Sequence, residues 1–129
     1  MALGTDIVEV DRIRRAAEKH PRFWQRILTE KEERYCRSAG DGYHCLAGRF
    51  AAKEAVMKAL GTGMDQLNFN DIEILNDLSG RPVVRPGPAL ERIMERQKIR
   101  RIEVSISHCK AYATAVAWAQ MAETAADQV

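Results

Sequence analysis

Two carboxylates, a lysine and a histidine stand where the local pattern calls for apolar side chains. In RFAAKEAVMKALGTG, residues 49–63, about 100° of rotation per residue puts Phe50 and Met57 on nearly one bearing, with Leu46 and Leu60 beside them. Lys53 falls inside that apolar arc and Glu54 on its other flank. The opposite side is no more polar, because Gly48, Ala52, Ala55 and Ala59 form a stripe of small residues. A helix apolar nearly all round is a buried helix. Its charges then need partners, since an unpaired buried charge costs several kcal/mol or is neutralised. Asp6 poses the same question on a strand face shared with Gly4, Val8 and Val10, and His108 ends a face made by Ile102, Val104 and Ile106.

Two carboxylates brought together repel unless a cation joins them. A hard divalent ion such as Mg²⁺ takes oxygen ligands, commonly one or two carboxylates completed by water and substrate phosphates. Asp6 and Glu54 suit that donor set, with Arg49, Lys53 and Lys58 nearby to receive phosphate. Plainer readings stand beside this one. Glu54 and Lys58 also form an ordinary i,i+4 pair, Asp6 is equally a carboxylate bonded to backbone amides, and His108 a satisfied histidine at a strand end. Spacing alone leaves both sets of readings open.

These residues must be positioned by a small chain. Its 129 residues suit one domain with a modest core, which a subunit interface would extend. A net charge of +2 is too weak to announce nucleic acid by itself. Cys36, Cys45 and Cys109 show no CxxC spacing and leave an odd one out, which reads as reduced thiols in a cytoplasmic protein. MALGTDIVEV enters an alternating pattern directly, so neither a signal peptide nor a transmembrane segment is expected.

The alternation predicts a strand over residues 2–10, followed by a helix capped by Asp11 that runs to about residue 19. Pro21 opens a short helical stretch through residue 28, and Thr29 with Glu32 makes a capping box for a helix over residues 30–37. After the break at Gly40-Asp41-Gly42, a long helix spans residues 43–60 and is closed by Gly61. The second half predicts a strand over residues 71–76, a turn at Leu78-Ser79-Gly80 and a return strand over residues 81–85. A helix of about ten residues follows Pro86-Gly87-Pro88, and residues 102–108 and 112–118 form a hairpin. Residues 1–120 thus form one α+β domain, with residues 121–129 read as a frayed tail.

Arg12, Arg15 and Lys19 fall on one face of the first helix, while Ile13, Ala16 and Ala17 pack inward; Arg22 and Arg26 continue the basic character. The face is either simply solvated or a docking surface for an acidic partner, where charge complementarity speeds encounter. Nucleic acid has less support, with Phe23 and Trp24 the only aromatics nearby.

GTDIVEVDRI, RFAAKEAVMKALGTG, FNDIEILNDLSGRPVV and VSISH together, in this order, resemble the holo-acyl-carrier-protein synthases, the short branch of the 4′-phosphopantetheinyl transferases. The resemblance runs from Gly4 to Trp118. It implies a long central helix packed on an antiparallel sheet, and transfer of the phosphopantetheine arm of coenzyme A to a serine of apo-acyl carrier protein, in support of fatty acid biosynthesis. Adenosine 3′,5′-bisphosphate is the product released. It also implies Asp6 and Glu54 as Mg²⁺ ligands, with Lys58 as the third catalytic residue. Coenzyme A contacts are implied for Arg49, Lys53, Lys58, Gly61, Gly80, Arg81, Pro82, Ser107 and His108, and carrier-protein docking for Arg12, Arg15, Arg22 and Arg26. The family assembles as homotrimers with active sites between subunits, and no nucleic acid or membrane is involved. Glu54, or a metal-bound water it orients, is implied as the base in preference to His108.

Two rivals of other classes remain at this point. One is a non-enzymatic module that binds acidic proteins through Arg12, Arg15 and Lys19. The other is a Mg²⁺-nucleotide hydrolase using the same carboxylates, although no GxxxxGK[ST] loop is present.

Overall fold

In the computed structural model, which describes residues 2–123, the pattern of small residues determines how closely the main layers approach. Strand β1 (Ala2–Glu9) alternates as expected, with Gly4 and Val8 buried, Asp6 half-buried on their side, and Leu3 and Ile7 exposed. It pairs antiparallel with β5 (Tyr112–Met121), which pairs in turn with β4 (Ile99–His108), giving the sheet order β1-β5-β4. Every buried position of the central strand is an alanine: Ala113, Ala115, Ala117 and Ala119.

Helix α4 (Gly42–Leu60) lies on this face with its own stripe of small residues toward the sheet. Contact is closest at Gly4. A Cβ built there would stand 2.0 Å from the carbonyl oxygen of Ala55 and 2.6 Å from the amide nitrogen of Ala59. Both obstacles are helix backbone, which no rotamer change can move. The expected helix ends are present. Asp41 accepts from the amides of Tyr43 and His44 at 3.1 and 3.2 Å, and Gly61 adopts φ 66°. The Thr62 amide then reaches the Met57 carbonyl at 3.0 Å, completing the glycine-terminated helix end.

A second layer covers the other side of α4, so this helix is buried nearly all round. It comprises α1 (Val10–Lys19), α2 (Phe23–Ile27) and α3 (Glu30–Ser38). The hairpin β2 (Ile72–Asn76) and β3 (Pro82–Pro86), followed by α5 (Pro88–Arg96), completes the domain. The single α+β architecture matches the sequence expectation. Thr29 and Glu32 form the capping box reciprocally, with amide-to-side-chain distances of 3.3 and 3.0 Å.

Four details differ from the sequence reading. Helix α1 starts at Val10, so Asp11 lies inside the first turn, where it pairs with Arg14 and Arg15 instead of capping. A short 3₁₀ turn, Phe69–Asp71, precedes β2. Strand β4 begins at Ile99, ahead of the clean alternation, because a bulge between Ile99 and Arg101 interrupts the register there. Finally, Cys36 and Cys45 form a disulfide, which corrects the reading of three reduced thiols; Cys109 is free and exposed. The break at Gly40-Asp41 folds α3 back on α4 and brings the two Cα atoms to 5.3 Å, a separation a disulfide spans. Among the described residues no helix is long and apolar enough to cross a membrane. Met121, expected to begin the tail, instead ends β5, where it pairs with Ile99; residues 124–129 of the expected tail lie outside the described residues.

Gly4→Ala is expected to destabilise the fold by about 3 kcal/mol or more, since neither backbone can yield. Denaturant unfolding checks this, and an unchanged midpoint would contradict the contact.

Candidate active site

Asp6 follows Gly4 by two residues on the same strand face, so the close approach of β1 to α4 carries its carboxylate to the middle of the helix. Lys58 donates from Nζ to Asp6 Oδ1 and to the Thr5 carbonyl, both at 3.1 Å. Glu54, one turn earlier and half-buried, belongs to the same group of charges. Burial raises its carboxyl pKa above the ordinary value, the charge of Asp6 raises it further, and Lys58 opposes both. A cleft of about 370 Å³ opens here, lined by Asp6, Glu54, Arg12, Phe23 and Phe50 among others.

Among the described residues no three His, Cys, Asp or Glu side chains converge as a metal cluster. Asp6 and Glu54 therefore offer two carboxylates and leave other coordination positions open. That set is poor for Zn²⁺, whose sites take three or four protein ligands with His and Cys predominating. It suits a hard ion that keeps water and substrate oxygens.

A second and larger cavity, about 730 Å³, is lined by residues that include Arg49, Asn76, Gly80, Pro82, His108 and Lys110. Arg49 is only 5% exposed. Its guanidinium donates to Asn76 Oδ1 and lies over the Tyr35 ring, 5.4 Å from the centroid. Opposite, the His44 and His108 rings are 5.3 Å apart between centroids. His44 is itself held between Asp41 Oδ2 at 2.5 Å and the Lys110 carbonyl at 3.0 Å. Arg49 and Glu54 are five residues apart on α4, a rotation of about 140°. The two cavities accordingly share no lining residue.

The structure thus divides the residues singled out from the sequence. Asp6, Glu54 and Lys58 come together, with Arg12 at the rim of their cleft. Arg49, Gly80, Pro82 and His108 line the second cavity. Gly61 borders a third depression with Arg92 and Arg96. Arg81 is exposed and pairs with Glu103 at 3.4 Å, and Ser107 is exposed on β4. Arg15, Arg22 and Arg26 are exposed on α1 and around α2.

Lys53 corrects an expectation. It is fully buried and lines neither cavity, and its ammonium donates to Glu32 Oε1 and the Ile27 carbonyl, both at 2.6 Å. The acid it needs is Glu32, also fully buried. Sequence reasoning missed Glu32 because the capping box already gave it a local role. The available signal was a buried lysine without an assigned acid. Asp41 and His44 were also missed, Asp41 reading only as part of the break before α4 and His44 as one residue of its first turn.

Comparison with known proteins places this geometry. Residues 2–117 match the family model of the 4′-phosphopantetheinyl transferase superfamily. A holo-[acyl-carrier-protein] synthase of Ruminiclostridium cellulolyticum is 48% identical over 120 residues, covering 91% of this chain and 90% of its own length. Among solved structures, the holo-[acyl-carrier-protein] synthase of Neisseria meningitidis superposes with a TM-score of 0.86 at 40% identity, covering 92% of this chain and 97% of that one. The Bacillus anthracis synthase, solved in complex with CoA (3′,5′-ADP), gives 0.78 at 35% identity, covering 94% and 96%. The chain belongs to the 4′-phosphopantetheinyl transferase superfamily. Within it, the match is to the short holo-acyl-carrier-protein synthases, and the reaction is transfer of the phosphopantetheine arm of coenzyme A to a serine of apo-acyl carrier protein.

The raised pKa of Glu54 has a thermodynamic consequence. A carboxyl that holds its proton more tightly folded than unfolded makes the protein lose stability as pH rises from the unfolded pKa through the folded one. In the absence of divalent cations, Glu54→Gln is therefore expected to melt above the wild type near neutral pH, with the difference shrinking toward about pH 4. A variant that melts lower at neutral pH would show that Glu54 is not under this strain.

Proposed function

We propose that transfer takes place in the Asp6/Glu54 cleft with Mg²⁺ held by these two carboxylates, and that the cavity of Arg49 and His108 receives the nucleotide end of coenzyme A. The observation that carries this reading is Glu54 itself, a half-buried carboxylate set beside Asp6 with Lys58 opposing. Such a pair is unfavourable alone and favourable around a cation.

When bound, the ion supplies charge neutralisation for the pyrophosphate oxygens and the departing group. The remaining work falls to the chain and is mostly alignment, as is usual in phosphoryl transfer. The carrier serine oxygen forms a bond to the β-phosphorus of coenzyme A. The bond from that phosphorus to the bridging oxygen breaks, and adenosine 3′,5′-bisphosphate leaves with the electron pair. Lys58, more exposed than Asp6 and bonded to it, would meet phosphate oxygen with its ammonium. Glu54, or a water it orients, takes the serine proton.

The two cavities lie on different sides of α4, which favours a donor that spans subunits. The outer face of the sheet supports the same reading: Leu3, Ile7 and Val116 are 62%, 65% and 47% exposed, and Thr5 stands opposite Val116. An apolar patch of this kind on a small chain marks an interface. We assign it to a homotrimer whose active sites lie between subunits. Arg12 lines the cleft and Arg15, Arg22 and Arg26 are exposed on α1 and around α2, a basic surface where an acidic carrier protein would dock with its serine directed at Glu54. A cytoplasmic location is part of the same reading, supported by coenzyme A and carrier protein as its partners.

Incubation with coenzyme A, Mg²⁺ and an apo-carrier protein is expected to add one phosphopantetheine mass to the carrier. Asp6→Ala and Glu54→Ala should each lower the rate by about 10²–10³-fold or more while the circular dichroism is unchanged. Full activity in either variant, or transfer indifferent to chelator, would remove the proposed metal site.

A further inference from the structure

Glu32 lines neither cavity, yet its carboxylate is tied to four groups from separate parts of the fold. Oε1 accepts from the Thr29 amide at 3.0 Å and from Lys53 Nζ at 2.6 Å. Oε2 accepts from the Ile74 amide at 3.1 Å and stands 3.8 Å from Arg49 Nε. The first amide belongs to the start of α3 and the second to β2, while both cations come from α4. The oxygen positions are therefore fixed from three directions before any ligand is present.

Arg49 depends on that carboxylate more than Lys53 does. Lys53 has a second anchor in the Ile27 carbonyl. Arg49 Nε is buried without a hydrogen-bond partner, and Glu32 is the nearby counter-charge. Arg49 and Lys53 are also an i,i+4 pair of like charges on a buried helix, and such pairs repel. Glu73 lies farther off and accepts from Thr29 Oγ1 at 2.6 Å. If Glu32 lost its charge, both cations would lose their counter-charge; Lys53 would still be tied to the Ile27 carbonyl, whereas Arg49 would be the cation free to swing out. The cavity it lines offers the way, leaving Asn76 Oδ1 and the Tyr35 ring as its remaining holds.

We infer that Glu32 is a positioning residue for the donor: across the domain interior it sets the Arg49 guanidinium at the wall of the nucleotide cavity. The inference rests on the reading of that cavity given above. It differs from a purely structural role, in which Glu32 would serve only to neutralise Lys53.

The decisive variant removes both members of the structural pair. Glu32→Gln alone strands a buried lysine and is expected to unfold readily. Glu32→Gln with Lys53→Met replaces the ion pair by neutral groups of similar size, and such exchanges preserve folding. In this double variant the KM for coenzyme A is expected to rise about tenfold or more, with kcat and the carrier KM nearly unchanged. A wild-type KM in the folded double variant would overturn the inference. Arg49→Ala tests the underlying reading: if it binds adenosine 3′,5′-bisphosphate as tightly as the wild type, the cavity is not the donor site and the inference falls with it. If Arg49→Ala loses binding while the double variant keeps it, the donor site stands and only the role of Glu32 falls.

Discussion

The backbone of β1 rests on the backbone of α4 at Gly4, with no side chain between them. The rest of the site follows from this contact. A strand normally stands a full side-chain layer away from a helix. Here the alanines of β5 and the small stripe on α4 remove that layer, and Gly4 removes what would remain of it. Two residues further along the strand, Asp6 reaches the middle of the helix, level with Glu54 and Lys58. A bulkier residue at position 4 would move the strand outward and take the carboxylate with it. The glycine and the aspartate of the GTDI segment thus form one device, the first setting the distance at which the second acts.

Close packing on the sheet side has a counterpart on the other side of α4, where the helix is stitched to its surroundings by charge. Glu32, Lys53 and Arg49 are buried together, and the carboxylate also receives two backbone amides. A buried cluster of this sort holds helix, strand and cap in one arrangement, at the cost of removing ions from water. The helix is then fixed in rotation from both sides. Glu54 faces the carboxylate cleft, Arg49 the larger cavity, and neither is free to turn toward the other. A helix with functional groups on two sides, in a chain too small to join the cavities, accords with completion of the active site by a second subunit.

Much of this was legible in the sequence where a local rule was broken or satisfied within a few residues. Gly61 as helix terminus, the Thr29/Glu32 capping box and the alternation of β1 and β5 are short-range matters, and all appear as expected. Asp6 and Glu54 could be singled out because carboxylates on apolar faces need an explanation. The partner of Lys53 could not, because 21 residues separate it from Glu32 and the capping box gave the acid a sufficient role nearby. The Cys36–Cys45 disulfide was hidden in the same way: its proximity depends on how α3 folds back over α4, and the spacing matches no familiar pattern. The family motifs identify the reaction, but they do not reveal that motif residues divide between two cavities. That division needs the helix to be placed in its surroundings.

The central claim is that the Gly4 contact brings Asp6 and Glu54 together to hold one cation at the reacting phosphate. It is tested most directly by a crystal structure of the protein with coenzyme A and Mg²⁺ bound. The account predicts one octahedral ion bonded to carboxylate oxygens of both Asp6 and Glu54 and to a phosphate oxygen of the donor. An ion carried by phosphate and water with neither carboxylate in its shell would contradict it.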